Sequence, residues 1–101
     1  MPYVKEDQRK FLDDAVNTNV DLISHGNILS DEEFLSIAGE INYVFSRTLG
    51  KLMGKTSYSK LAVITGVLEN IKQEFYRRVG EPYEDKKIRE NGDIREYVQH
   101  G

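Results

Sequence analysis

Ser30-Asp31-Glu32-Glu33-Phe34-Leu35-Ser36-Ile37-Ala38-Gly39-Glu40-Ile41-Asn42-Tyr43-Val44-Phe45-Ser46-Arg47-Thr48-Leu49-Gly50-Lys51-Leu52-Met53-Gly54 opens on a helix start signal and closes on a helix stop. Ser30 and Glu33 have the spacing of a capping box, in which the hydroxyl accepts from the amide three residues on and the carboxylate reaches back. Leu29 and Phe34 flank the box as a hydrophobic staple would. Behind it, Phe34, Ile37, Ala38, Ile41, Val44, Phe45, Leu49, Leu52 and Met53 recur at helical spacing. At about 100° per residue they cover roughly half the circumference, more than one core-facing stripe requires.

Two further helical segments flank this one. From Glu6 to Ser24, Phe11, Leu12, Ala15, Val16, Val20 and Ile23 form a single apolar stripe, and His25-Gly26-Asn27 supplies a stop of the kind glycine allows. The third helix begins near Thr56 or Ser57 and carries Leu61, Ile64, Val67, Leu68, Ile71, Phe75 and Val79, with Val63 widening the stripe. It is expected to end or kink at Gly80-Glu81-Pro82, because proline lacks the amide donor and clashes with the preceding turn. Pro82 suits the first turn of a short helix to about Glu90, closed by Asn91-Gly92. No alternating strand pattern competes.

The expected fold is all-α, an antiparallel bundle of three main helices plus a short C-terminal one. It forms a single domain over residues 1–93, with 94–101 as a polar, mobile tail. The wide apolar stripes leave two readings: a core filled within one subunit, or a homo-oligomer in which the second and third helices bury a further face against a copy. We take the homo-oligomer. Gly39, Ser46 and Gly50 share another face of the second helix, where small residues allow close approach.

Composition narrows the function classes. The 101 residues make one domain, with 31 % charged and 39 % hydrophobic residues, a soluble folded balance. A net charge of −3 speaks against a general nucleic-acid binder. Without cysteine there is no disulfide, thiolate nucleophile or thiolate metal site. Met1 to Asp7 lack the apolar region of a signal peptide, and no apolar run approaches the roughly 20 residues of a membrane span. A cytoplasmic protein is expected.

No catalytic constellation assembles. His25 and His100 fall in a turn and in the tail, with no spacing that pairs them on a metal. Asp13-Asp14, Glu32-Glu33 and Glu84-Asp85 are adjacent carboxylates that point about 100° apart on a helix. Gly50-Lys51-Leu52-Met53-Gly54-Lys55-Thr56 ends like a phosphate loop, yet it lacks the first glycine and the preceding strand. The chain is therefore expected not to be an enzyme, with no catalytic residue, metal ligand or cofactor assigned.

Residues 74 to 93 hold most of the remaining chemistry. Glu74 with Arg78, and Asp85 with Arg89, are acid–base pairs four apart, and Glu84 and Lys87 are three apart. Such pairs describe an ordinary solvated surface and contribute a few tenths of a kcal/mol each. Arg77, Lys86 and Lys87 are left over by that accounting. Guanidinium forks suit phosphate and tyrosine rings suit bases, so Tyr76, Arg77, Arg78, Tyr83, Lys86, Lys87 and Arg89 form the candidate ligand site. Tyr43 and Arg47, one turn apart on the second helix, are possible additions.

Phe75-Tyr76-Arg77-Arg78-Val79, Pro82-Tyr83-Glu84-Asp85-Lys86-Lys87-Ile88 and Glu90-Asn91-Gly92-Asp93 resemble the C-terminal signature of an uncharacterised family of small helical proteins from phages and from bacterial and archaeal genomes. Asn42-Tyr43-Val44, Tyr58-Ser59-Lys60-Leu61 and Gly66-Val67-Leu68-Glu69 are similar to its helical part. The resemblance covers about the C-terminal two-thirds. It implies a class of origin, phage among them, rather than an activity.

The expectation is a non-enzymatic binding protein that captures a small anionic, phosphorylated, nucleotide-like ligand. In a virus, acting in the host cytoplasm, it would sequester a host immune signal of that chemistry. The rival class is a protein–protein interaction module that presents apolar helix faces to a host or virion protein. Binding to a nucleic-acid polymer is not expected, because two long helices in a net acidic chain supply no short recognition helix.

Overall fold

The computed structural model describes residues 4–100, with side chains to residue 98. Expectations placed on Met1 to Tyr3, on the His100 side chain and on Gly101 lie outside the described residues. All regular structure among the described residues is helical, and no strand occurs there. The chain divides into two compact units, Met1–Thr56 and Ser57–Gly101.

The first unit holds α1 (Glu6–Ser24), α2 (Asp31–Ser36) and α3 (Ala38–Met53). The stop after α1 is shared between two left-handed residues, His25 at φ 55° and Gly26 at φ 73°, whose amides both donate to the Asp21 carbonyl. The capping box of α2 forms reciprocally. The Glu33 amide donates to Ser30 Oγ at 3.2 Å, and the Ser30 amide donates to Glu33 Oε1 at 3.1 Å. The bond from the Ser30 amide and, to a lesser extent, the Ser30 hydroxyl hold the Glu33 carboxyl below its ordinary range.

The helix expected from Asp31 to Met53 is divided at Ile37. There the Ser36 hydroxyl bonds the Glu33 carbonyl at 2.6 Å, and the Ile37 amide closes a three-residue turn on Phe34. A serine hydroxyl that competes for a helical carbonyl loosens the ladder at that point.

The second unit holds α4 (Tyr58–Phe75), a π-turn (Tyr76–Gly80), α5 (Glu81–Asn91) and α6 (Arg95–His100). Ser57 caps α4 by accepting from the Lys60 amide at 3.3 Å, where the sequence placed the start. Gly92, at φ 81°, ends α5. Residues 95–100, read from the sequence as tail, are helical.

The Gly80-Glu81-Pro82 stretch does not stop the helix. Phe75, Tyr76, Gly80 and Glu81 all keep right-handed helical angles, and the Glu81 amide donates to the Tyr76 carbonyl five residues back. In a strict α-helix the Pro82 ring would press on the Arg78 carbonyl. The wider π-turn immediately before Pro82 relieves that contact while the helix continues. Segments of 18, 5 and 11 residues thus run on as about 50 Å of helix.

The main packing between elements is between chain neighbours: α2 with α3, and the π-turn with α4 and α5. Ser24 is the one buried residue among those described, and no apolar side chain is buried. Ile37, at the break before α3, and Ile41 and Val44 on it are half-buried, whereas Phe11 is 86 % exposed, Leu52 79 % and Phe75 65 %. A Cβ at Gly39 or Gly50 would meet nothing within 4 Å, so neither gap is used within the described chain.

Candidate functional site

The π-turn and α5 carry all seven candidate ligand residues, with Glu74 at the end of α4 beside them. Glu74 organises the first of them. Its carboxylate accepts two bonds from Arg77 Nη2, each 3.1 Å, and one from Arg78 Nε at 2.8 Å. The Glu74–Arg78 pair is the one its four-residue spacing predicted. Arg77 is not left over as expected: it shares the same carboxylate from three residues away. The Arg77 hydrogen bonds, with the Arg78 bond and the charges of both arginines, hold the Glu74 carboxyl below its ordinary range against the opposing effect of desolvation.

Tyr76 is tied across the π-turn. Its hydroxyl donates a short hydrogen bond to Glu84 Oε1, eight residues on. That bond, then partial burial and the charges of Glu84 and Glu81, raise the tyrosine above its ordinary titration range. The ring crosses Gly80 closely enough that a Cβ there would lie 2.7 Å from Tyr76 Cδ2. Gly80 has ordinary helical angles, so glycine is required there for space and not for conformation.

Lys87 pairs with Glu90 at 3.2 Å and lies over the Tyr83 ring, 5.4 Å from its centroid. With Glu84 taken by Tyr76, the expected Glu84–Lys87 pair does not form, and neither does Asp85–Arg89. Among the described residues, Lys86 and Arg89 have no ion-pair partner.

Two open grooves border these groups, each about 400 Å³. One is lined by Tyr83, Glu84, Lys87, Ile88, Asn91 and Tyr97, among others. The other lies along Glu69, Lys72, Gln73, Tyr76, Arg77 and Glu81. Tyr83 and Lys87 therefore share one groove, and Tyr76 and Arg77 the other, while Arg78, Lys86 and Arg89 line neither. Both grooves carry carboxylates, so neither is a purely cationic cradle.

Gly80, Glu84, Asn91 and Tyr97 were not among the sequence candidates. The four-residue step from Tyr76 through Gly80 to Glu84 was the available signal, but it is obscured if the helix is taken to stop at Pro82. In the first unit, Tyr43 and Arg47 engage each other, with a 3.3 Å bond to the hydroxyl and the guanidinium 5.9 Å from the ring centroid. Among the described residues, no group of three or more His, Asp or Glu side chains is placed to hold a metal ion. No helix there is long and apolar enough to cross a membrane.

These features define a small all-helical protein with a polar, tyrosine-rich C-terminal unit. A family model described as "Domain of unknown function (DUF6899)" matches residues 1–94, and the chain belongs to that family. The match takes in the N-terminal third as well as the two-thirds that carry the resemblance. No curated protein and no solved structure matches the chain.

Proposed function

We propose that this protein is a non-enzymatic interaction module that assembles with copies of itself and offers its remaining apolar helix faces to a protein partner. The antiparallel bundle expected from the sequence would then be completed in the assembly. The observation that carries this reading is the full set of unburied apolar side chains, from Phe11 and Leu22 on α1 to Leu52 on α3 and Phe75 on α4. A folded chain gains its main stabilisation by removing such surface from water. Each unit carries large exposed apolar side chains of its own, and contiguous exposed apolar surface marks interaction sites. Sedimentation velocity from low to high micromolar concentration tests the reading. Association beyond the mass of one chain supports it, and a single chain at every concentration overturns self-assembly.

Capture of a small anionic, nucleotide-like ligand remains the second reading. It is favoured by the Tyr83–Lys87 stack beside Asn91 and Tyr97, and by the unpaired Lys86 and Arg89. It ranks second because Arg77 and Arg78 share the Glu74 carboxylate and Lys87 pairs with Glu90, so most of these cations are already engaged. For a phage protein, the ligand would be a host signal held in the host cytoplasm. Native mass spectrometry of protein purified without added ligand tests this reading: a bound mass of nucleotide size supports it, and free protein that stays free when nucleotides are added overturns it.

A further inference from the structure

The continuous helix of the second unit carries a seam that the separate α4 and α5 segments conceal. Leu61, Ile64, Leu68, Ile71 and Phe75 follow the three- and four-residue steps of a heptad repeat, the pattern that pairs two helices along a line. In an unbroken α-helix each four-residue step overshoots a full circle by about 40°, so Val79 and Tyr83 would swing about 40° and then 80° away from Phe75. The π-turn has about one residue more per turn and cancels that drift where it would begin. Its effect is visible one residue over, where Tyr76, Gly80 and Glu84 stay in line closely enough for Tyr76 to cross Gly80 and bond Glu84. By the same register, Val79 and Tyr83 continue the row that Phe75 ends.

We propose that the α4–π-turn–α5 helix pairs, through Leu61, Ile64, Leu68, Ile71, Phe75, Val79 and Tyr83, with the same seam of a second copy of this chain. The proposal rests on the self-assembly reading and assigns it a surface. A two-fold pair needs a patch that is complementary to itself, and a heptad seam has that property. Leu68 is 47 % exposed and Val79 53 %, while Ile64 is half-buried. The seven side chains together offer on the order of 700 Å² per copy, so a pair would bury about 1,400 Å², within the range of stable interfaces. Next to Phe75, Glu74 holds both Arg77 and Arg78, so the charged groups at that edge of the seam are tied to one another along their own helix.

The chain has no cysteine, so single cysteines report on the seam without background. Full-length Ile71→Cys, at the middle of the seam, should join two copies through a short bis-maleimide linker. Gln73→Cys, about 200° around the helix, should not. Leu68→Glu should raise the dissociation constant of the assembly more than tenfold, because a carboxylate would be buried unpaired. Val63→Glu, off the seam, should leave it within a few-fold. If the wild-type chain associates but Ile71→Cys fails to cross-link, the seam assignment falls and the self-assembly reading stands. If the wild-type chain is single at all concentrations, both fall. The cysteine variants change little volume, so a Leu68→Glu chain that failed to fold would still leave the cross-linking result decisive.

Discussion

Tyr76 donates its hydroxyl proton to Glu84 across two turns of helix, with Gly80 beneath the ring. Losing that proton would break the bond and set a phenolate against a carboxylate, which is why the tyrosine titrates late. A group whose folded pKa is raised contributes stability that is full below its unfolded value, here 10.0, and is lost as pH rises through the higher folded value. Ultraviolet titration of the six tyrosines should therefore show one lagging the rest. Glu84→Gln should bring it back toward the others, and a lag that persists in that variant would contradict the assignment.

Gly80→Ala separates space from propensity. Replacing a mid-helix glycine by alanine ordinarily stabilises by about 0.5–1 kcal/mol. Here the new methyl would lie 2.7 Å from the Tyr76 ring, so the ring must move and release Glu84. The wild-type background should show no gain in thermal stability and should lose the late-titrating tyrosine. In a Tyr76→Ala background the same change should stabilise by the ordinary amount. A gain of equal size in both backgrounds would mean that the ring does not rest on Gly80 in solution.

Glu74 sets the acid side of the profile. Its folded pKa lies below the ordinary 4.5, chiefly through the Arg77 hydrogen bonds. Its contribution is present above 4.5 and is lost as pH falls through the lower folded value. Glu74→Gln should flatten the loss of melting temperature below pH 4.5, measured by circular dichroism. The effect should be modest and fade in high salt, because both arginines are largely exposed.

The capping box offers a test in the first unit. Ser30→Ala removes the acceptor for the Glu33 amide and should cost about 1 kcal/mol, in line with other N-cap losses. Glu33 should then titrate closer to its ordinary 4.5, which a carboxyl-resolved NMR titration would report. A Glu33 that already titrates at its ordinary value in the wild-type protein would mean that the box is open in solution.

Much of the local structure was legible because it depends on short-range chemistry. Ser30 and Glu33, Ser57 before α4, and Gly92 after α5 each act on backbone groups within a few residues, and sequence spacing shows that. The break at Ile37 was not legible, since it turns on whether the Ser36 hydroxyl takes the Glu33 carbonyl or faces solvent. The passage through Pro82 was hidden for a related reason. Proline removes one hydrogen bond in any register, and only the backbone shows that the helix widened to carry on. The site inherited that uncertainty. Glu74–Arg78 was readable by counting, but Arg77 joined it, and Glu84 was drawn away from Lys87 by a tyrosine eight residues back.

Pro82 is the residue whose removal tests the whole arrangement. With alanine there, residue 82 regains an amide able to donate to the Arg78 carbonyl, and the ring no longer presses on it. The π-turn then has no steric cause, and the helix should tighten into α register through residues 76–80. Helical signal should rise, since alanine favours the helix interior by about 3 kcal/mol over proline. Tyr76 and Glu84 should move out of line, so the late-titrating tyrosine should disappear even though neither partner has been altered. Val79 and Tyr83 should also rotate away from Phe75, weakening self-association although the seam residues are intact. A Pro82→Ala protein that keeps both the late tyrosine and the wild-type association would show that some other contact holds the turn.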